Sequence, residues 1–380
     1  MPDARPVSAP AVYLDYNATA PVWPEAAAAV ADALLLTGNP SSVHHFGRAA
    51  RKRVEDAREA VAALIGAAPA DIVFTSGGTE ANALALAGAG RTRLLVSAIE
   101  HDSVLAAAAA HDPDTPRIPV SPTGLVDVPA LDKLLAGRID DTLVSVMLAN
   151  NETGVVQPVA EIAERAHAAG ALVHCDAVQA AGKIAIDVRA LGADLVSLSA
   201  HKLGGPKGIG ALYVSERIAL APLLRGGGQE RGRRAGTENV PGIAGFGAAA
   251  AAVTRDLAGD ARKITALRDR LEAAVLARSN RARIAGTDAP RIPNTSCIVL
   301  RGVPSEMQVM ALDLAGVAVS AGSACSSGKV RPSHVLAAMG HPPEEASAAI
   351  RVSLGWASAP ADIERFVEAW GAMAARRAAA

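Results

Sequence analysis

Aromatic residues are few in this chain, cysteines fewer, and long apolar runs are missing. Phe, Trp and Tyr supply 3% of 380 residues, so the hydrophobic half of the chain is largely alanine and valine. Three cysteines with no CxxC spacing give neither a disulfide framework nor a zinc site. No window reaches the eighteen or so uninterrupted apolar residues of a membrane span. The best candidate, residues 243–253, is too short and mostly Gly and Ala. No charge sign dominates: 37 basic against 38 acidic side chains give a net −1. There is thus no global field to draw the protein to nucleic acid or an anionic membrane. The opening MPDARPVSAP is polar and proline-rich, without the apolar stretch of a signal peptide. A soluble, cytoplasmic protein is expected.

What is present is an alternation. A short strand over residues 12–15 precedes a turn and helix, then the loop GNPSSVHHFGR and an amphipathic helix over 49–65. His44 and His45 in that loop have no third ligand at useful spacing, so no metal is assigned to them. From Asp71 onward strands and helices alternate: IVF, then SGGTE and a helix; LLVSAIEH, ending at His101, and a helix over 103–110; TLVSVMLANNETG, ending at Asn150 and Asn151; a helix over 159–169; ALVHCDAVQA; DLVSLSAHK; IGALYVS. This order predicts a mainly parallel sheet with helices on both faces, with ligands outside the carboxyl ends of its strands. After the Gly- and Arg-rich loop 225–240 the pattern predicts one long helix over about 241–283, bridging to a smaller α+β domain that the N-terminal strand joins. The expected division is 16–257 for the large domain, and 1–15 with 258–380 for the small one.

The chemistry gathers at strand ends. Lys202 closes an apolar strand beside Ser199 and His201, where an amine can lose its proton more easily and attack a carbonyl. Alone, the same pattern describes a lysine that ends a strand and points into water. The turn Ser76-Gly77-Gly78-Thr79 between strand and helix suits an anion, and equally a plain tight turn. His101 could stack on a ring and move protons, or simply cap a strand. Asp176 is a carboxylate inside an apolar run and needs a cationic partner. A pyridinium nitrogen would serve: at about 4 Å and an effective dielectric near 20 the attraction is roughly 4 kcal/mol. That is about three pKa units, enough to keep the ring protonated. A Schiff-base lysine with an acidic partner to a pyridine is the protein apparatus of pyridoxal phosphate (PLP). Asp176 precedes Lys202 by about one strand–helix unit, so adjacent strands can bring them together. Cys325 lies in SAGSACSSGKVRPSH, a small, polar stretch that cannot pack a core. An unperturbed thiol is only about 3% thiolate at pH 7, so a nearby base or cation would have to activate it. Cys175 and Cys297 sit in apolar strand-like runs as small hydrophobes. Arg351, in AIRVSL, could grip a carboxylate with two nitrogens.

These stretches resemble the cysteine desulfurases, NifS-like PLP enzymes of the aspartate aminotransferase fold (fold type I, class V). The likeness runs from YLDYNATAPV through GNPSSVHHFGR, FTSGGTE, EH, ANNETG, HCDAVQ, SLSAHK, PKGIG, RGGGQERGRRAGTEN and GSACSSG to IRVSLG. The resemblance implies a large, mainly parallel seven-stranded sheet domain and a smaller α+β domain carrying the cysteine loop. It implies PLP as a Schiff base on Lys202, Asp176 at the ring nitrogen, Gln179 at the ring hydroxyl, and His101 stacked on the ring and transferring protons. Gly78, Thr79, Ser199 and His201 would hold the phosphate, with Thr237 from the second subunit of a homodimer. Asn151 and Arg351 would bind the substrate carboxylate. Cys325 would take sulfur from L-cysteine as a persulfide, leaving L-alanine, and pass it to acceptors such as an iron–sulfur scaffold protein. In some members the same cysteine is also an iron–sulfur ligand. Three positions depart from the family pattern: Ala200 where glycine is common, Ala20 where threonine is frequent, and Arg331 where the loop is often acidic. Only Arg331 bears on acceptor choice.

Other readings share some of these residues. A selenocysteine lyase or cysteine sulfinate desulfinase would keep the fold, and an aminotransferase has no use for a loop cysteine. Arginines 225–234 could mark RNA binding, but that loop has no aromatic residue on which to stack bases. A catalytically silent scaffold fits poorly with a full set of lysine, aspartate and cysteine.

Overall fold

The computed structural model describes residues 11–137, 140–322 and 332–378. Its strands are β1 (Val12–Tyr13), β2 (Ile72–Thr75), β3 (Arg93–Ser97), β4 (Arg117–Ile118), β5 (Thr142–Ser145), β6 (Leu172–Asp176), β7 (Leu195–Ser199), β8 (Gly210–Val214), β9 (Ala282–Ala285), β10 (Thr295–Leu300), β11 (Val317–Ala318), β12 (Ser320–Ala321) and β13 (Ala349–Ser353). Seven of them form one sheet in the order β2-β8-β7-β6-β5-β3-β4. Pairings from β7 to β4 are parallel, and only β8 runs against its two neighbours. Strands β5, β6 and β7 are buried almost throughout, as a sheet covered on both faces requires. A four-stranded antiparallel sheet, β12-β13-β10-β9, and the parallel pair β1-β11 make up the rest.

Several expectations need correction: β5 ends at Ser145 rather than at Asn150 and Asn151, and the helix expected from residue 49 already starts at His45. The single helix over 241–283 is two, Val240–Thr254 and Leu257–Arg278. Asp256 leaves helical geometry, and its side chain accepts from the Gly259 amide, capping the second helix. Hydrophobic period alone misses the break, because both halves are helical and apolar. Their faces serve different cores: Ile243, Phe246, Ala250 and Val253 pack under the large sheet, whereas Ile264, Leu267, Leu271 and Val275 join Val12, Leu14, Phe366 and Trp370. Strand β3 ends at Ser97, not at His101, which is the N-cap of helix Asp102–His111. Among the described residues no helix is long and apolar enough to cross a membrane.

Candidate active site

Parallel strands end on one edge of the large sheet, and the polar residues after β3, β5, β6 and β7 converge there. Gly78, Thr79, His101, Asn151, Asp176, Gln179, Ser199, His201 and Lys202 line one cavity of about 260 Å³, with Asn82, Ser103, Met147 and Val178. Asp176 is the last residue of β6, and β7, which leads into Lys202, is the next strand, as their spacing in the sequence suggested.

Each wall of the cavity has a local cause. Gly77 takes φ +155°, a conformation open to glycine, and caps helix Gly78–Gly88. A Cβ on Gly78 would lie 3.0 Å from Val178 Cγ2 and 3.3 Å from Ser199 Cβ, so the helix N-terminus and the end of β7 touch only because this residue has no side chain. First-turn amides of a helix have no intrahelical acceptor and present positive charge to an anion. Asp176 is 5% exposed and accepts from Asn82 Nδ2 at 2.8 Å and from the Val178 amide at 2.9 Å. Asn82 also donates to Ser103 Oγ at 2.9 Å, so the carboxylate is held by side chains that are themselves held. The His101 ring lines the cavity. Its Nδ1 accepts from the Ser103 amide at 3.1 Å, which in the neutral ring leaves the proton on Nε2. Desolvation, then the positive charge of Lys202, holds its pKa below the ordinary value against the pull of Asp176.

Lys202 Nζ donates to the carbonyls of Asn17 and Ala18, at 2.6 and 3.0 Å. Burial first, then the Arg351 guanidinium, brings its pKa down to about 8, against Asp15 and Asp176. His201 is lowered to about 4 by burial and by Lys202 and Lys207, so it is neutral near pH 7. Arg351, 4% exposed on β13, donates to the Asn151 carbonyl at 3.1 Å and to Asp15 Oδ1 at 2.9 Å. It reaches the site through Asn151 rather than lining the cavity itself. Thr237 lies apart, in a cleft with Ser76, Gly208 and Arg234. In the arginine-rich loop, Arg234 is paired with Glu80 at 2.9 Å and Arg231 donates to the Ala70 carbonyl, so these two guanidinium groups serve the fold. Cys325 and Arg331 fall outside the described residues.

Sequence reasoning passed over Asn17, Asn82 and Lys183, which hold Lys202, Asp176 and Gln179 respectively. Asn82 carried a usable signal, being a polar residue in the apolar helix ANALALAG.

PLP fits these residues on two observations. The His201 Nδ1 and Asn82 Oδ1 atoms are buried without a protein partner among the described residues, and the first turn of helix Gly78–Gly88, whose amides have no intrahelical acceptor, lines the cavity. An aldehyde finds an amine of lowered pKa, a pyridine nitrogen finds a buried carboxylate, and a phosphate finds a helix N-terminus.

The aminotransferase class-V family model matches residues 12–366. A cysteine desulfurase of Cereibacter sphaeroides is 48% identical, covering 94% of each chain. A NifS-like protein from Rickettsia africae ESF-5 has a similar structure, with TM-score 0.88 and 36% identity over 96% of this chain and 99% of that one. SspA, solved in complex with cysteine, superposes with TM-score 0.79 at 31% identity over 90% of this chain and 99% of that one.

Proposed function

The chain belongs to the class-V aminotransferases, and from that membership we propose that it is a PLP-dependent cysteine desulfurase converting L-cysteine to L-alanine and sulfur carried on Cys325 as a persulfide. The single observation that supports this most is the convergence of Lys202, Asp176 and His101 on one cavity beside a glycine-built helix N-terminus. When bound, PLP supplies an electron sink that makes the substrate Cα–H acidic and weakens its Cβ–S bond.

The side chains divide the remaining work. Lys202 would hold the cofactor and, with its lowered pKa, could move the Cα proton. Asp176, held by Asn82, would carry the negative charge that keeps the ring nitrogen protonated. His101, neutral with its proton on Nε2, would stack on the ring and could give or take a proton there. Gln179 would meet the ring hydroxyl. Gly78, Thr79, Ser199 and His201 would hold the phosphate, with Thr237 supplied by a second copy of the chain. Asn151 would meet the substrate carboxylate at the cavity wall, and Arg351 behind it would join by exchanging its hold on the Asn151 carbonyl or Asp15 for the substrate. The division into 16–257 and 1–15 with 258–380 is supported by the separate cores and by the helix break at Asp256. The dimer is supported by the position of Thr237 away from the Lys202 cavity, and by Leu35, Val43 and Phe46, which are 83%, 88% and 62% exposed. Sulfur acceptors are proteins that dock at the cysteine loop, iron–sulfur scaffolds among them, and Arg331 gives that loop a positive charge.

Purified protein should be yellow, lose that colour on borohydride reduction, and release alanine from L-cysteine. Lys202→Ala should lose all three properties, and Cys325→Ser should lose protein-bound sulfur. A colourless protein that yields no alanine on addition of PLP overturns the assignment.

A further inference from the structure

A second lysine stands behind the first. Lys183 Nζ donates to Gln179 Oε1 at 2.7 Å and to Asn17 Oδ1 at 2.9 Å. Asn17, wholly buried, is the residue whose carbonyl accepts from Lys202 Nζ and, at 3.0 Å, from Gln179 Nε2. Its side-chain nitrogen donates to the Asn151 carbonyl and to Thr295 Oγ1. One asparagine thus links two amines, the glutamine and the strand end bearing Asn151. The reaction as described above uses Lys202 and leaves Lys183 without a task.

We propose that Lys183 is a positioning residue, whose amine fixes the Gln179 amide and the Asn17 side chain and thereby sets how tightly PLP is held. The inference rests on the PLP reading of the cavity. The two ends of a glutamine amide are nearly alike in shape, so hydrogen bonding alone chooses its orientation. The Asn17 carbonyl can only accept and therefore selects Nε2, which turns Oε1 to the Lys183 amine as its donor. One Nε2 hydrogen then remains for an oxygen in the cavity. Charge acts in the same place. Burial first, then the charges of Lys202 and Arg351, pushes Lys183 well below the ordinary lysine range. The other groups facing the pair are Asp15 after β1, Asp176 on β6, His101 and His201 at the cavity wall, Arg351 on β13, and Asp260 of helix Leu257–Arg278.

The test compares wild type, Lys183→Met and Lys183→Gln as full-length protein stripped of cofactor. The dissociation constant of PLP should increase about tenfold in Lys183→Met through the loss of hydrogen bonds to Gln179 and Asn17, with little change in thermal unfolding of the stripped protein. Lys183→Gln keeps one donor and should restore most of that affinity. Unchanged affinity in Lys183→Met overturns the proposal. If that variant does not fold, the glutamine variant decides: affinity about two- to fivefold weaker than wild type, from one donor in place of two, supports the proposal and wild-type affinity overturns it. A wild-type protein that fails to bind PLP would instead sink the reading of the cavity on which the inference rests.

Discussion

The reactive residues work because of neighbours that carry no chemistry of their own. Asp176→Asn keeps the shape and the Val178 contact but removes the charge that faces the ring nitrogen. Alanine formation should fall by about two to three orders of magnitude, the rate equivalent of roughly 4 kcal/mol. A smaller effect is expected at Asn82. Its replacement by Ala leaves Asp176 Oδ2 without a side-chain donor and should weaken PLP binding by about tenfold, read by equilibrium dialysis. Gly78→Ala forces a methyl group to 3.0 Å from Val178 and 3.3 Å from Ser199, which must open the phosphate end of the cavity. PLP affinity should again fall at least about tenfold, with little change in thermal unfolding of the stripped protein. At this scale the sequence was informative wherever a residue type was odd for its surroundings: a lysine ending a strand, an aspartate in an apolar run, paired glycines before a helix. It was silent about Asn17 and Lys183, since a polar residue in a loop is ordinary until its partners are known.

Among the elements, three adjacent strands are tied by one imidazole. His174 on β6 meets Ser145 Oγ of β5 at 2.8 Å through Nδ1 and Ser197 Oγ of β7 at 2.9 Å through Nε2. Complete burial lowers its pKa from the usual 6.5 to about 4. Below pH 6.5 the unfolded chain therefore binds a proton that the folded one refuses. The contribution is whole above that pH and is lost as pH falls to about 4, about 3 kcal/mol in all. His174→Gln should flatten the acid limb of a stability-against-pH curve obtained by urea unfolding between pH 4 and 7. The helix break has its own test. Asp256→Ala removes a cap and should lower unfolding free energy by about 1 kcal/mol without altering PLP binding. Strand and helix order was legible because periodicity reports burial. The ends of β3 and of helix Val240–Thr254 were not, because a cap is a local hydrogen bond that the pattern of apolar residues does not register.

Over the whole molecule, burial shields two of the three cysteines. Cys175 and Cys297 are fully buried, and their thiols are pushed well above the ordinary range, Cys175 by burial and then Asp176, Cys297 by burial and then Glu152. Iodoacetamide should therefore leave native Cys325→Ser unlabelled and label both of its remaining cysteines in urea, as counted by intact mass. Long-range ion pairing holds the glycine-rich loop to the large domain. Glu230 takes both Nη atoms of Arg58, at 2.7 and 2.9 Å, and also accepts from the Phe74 amide. Glu230→Ala leaves the buried Arg58 guanidinium with the more exposed Glu55 as its remaining charged partner and should cost about 3 kcal/mol of stability. Because that loop leads to Thr237, the variant should also shift the monomer–dimer balance seen by light scattering.

By itself the sequence determined the strand–helix alternation, the mainly parallel sheet and the identity of most residues at the strand ends. Those follow from burial period and from residue types that chemistry restricts. Only the tertiary structure decided what stands behind them: Asn82 under Asp176, Asn17 and Lys183 behind Lys202, Arg351 reaching Asn151 from another sheet. Such partners lie up to 200 residues or more apart in the chain, and a hydrogen bond between distant side chains leaves no period or spacing to read. It exists only once packing has fixed both ends.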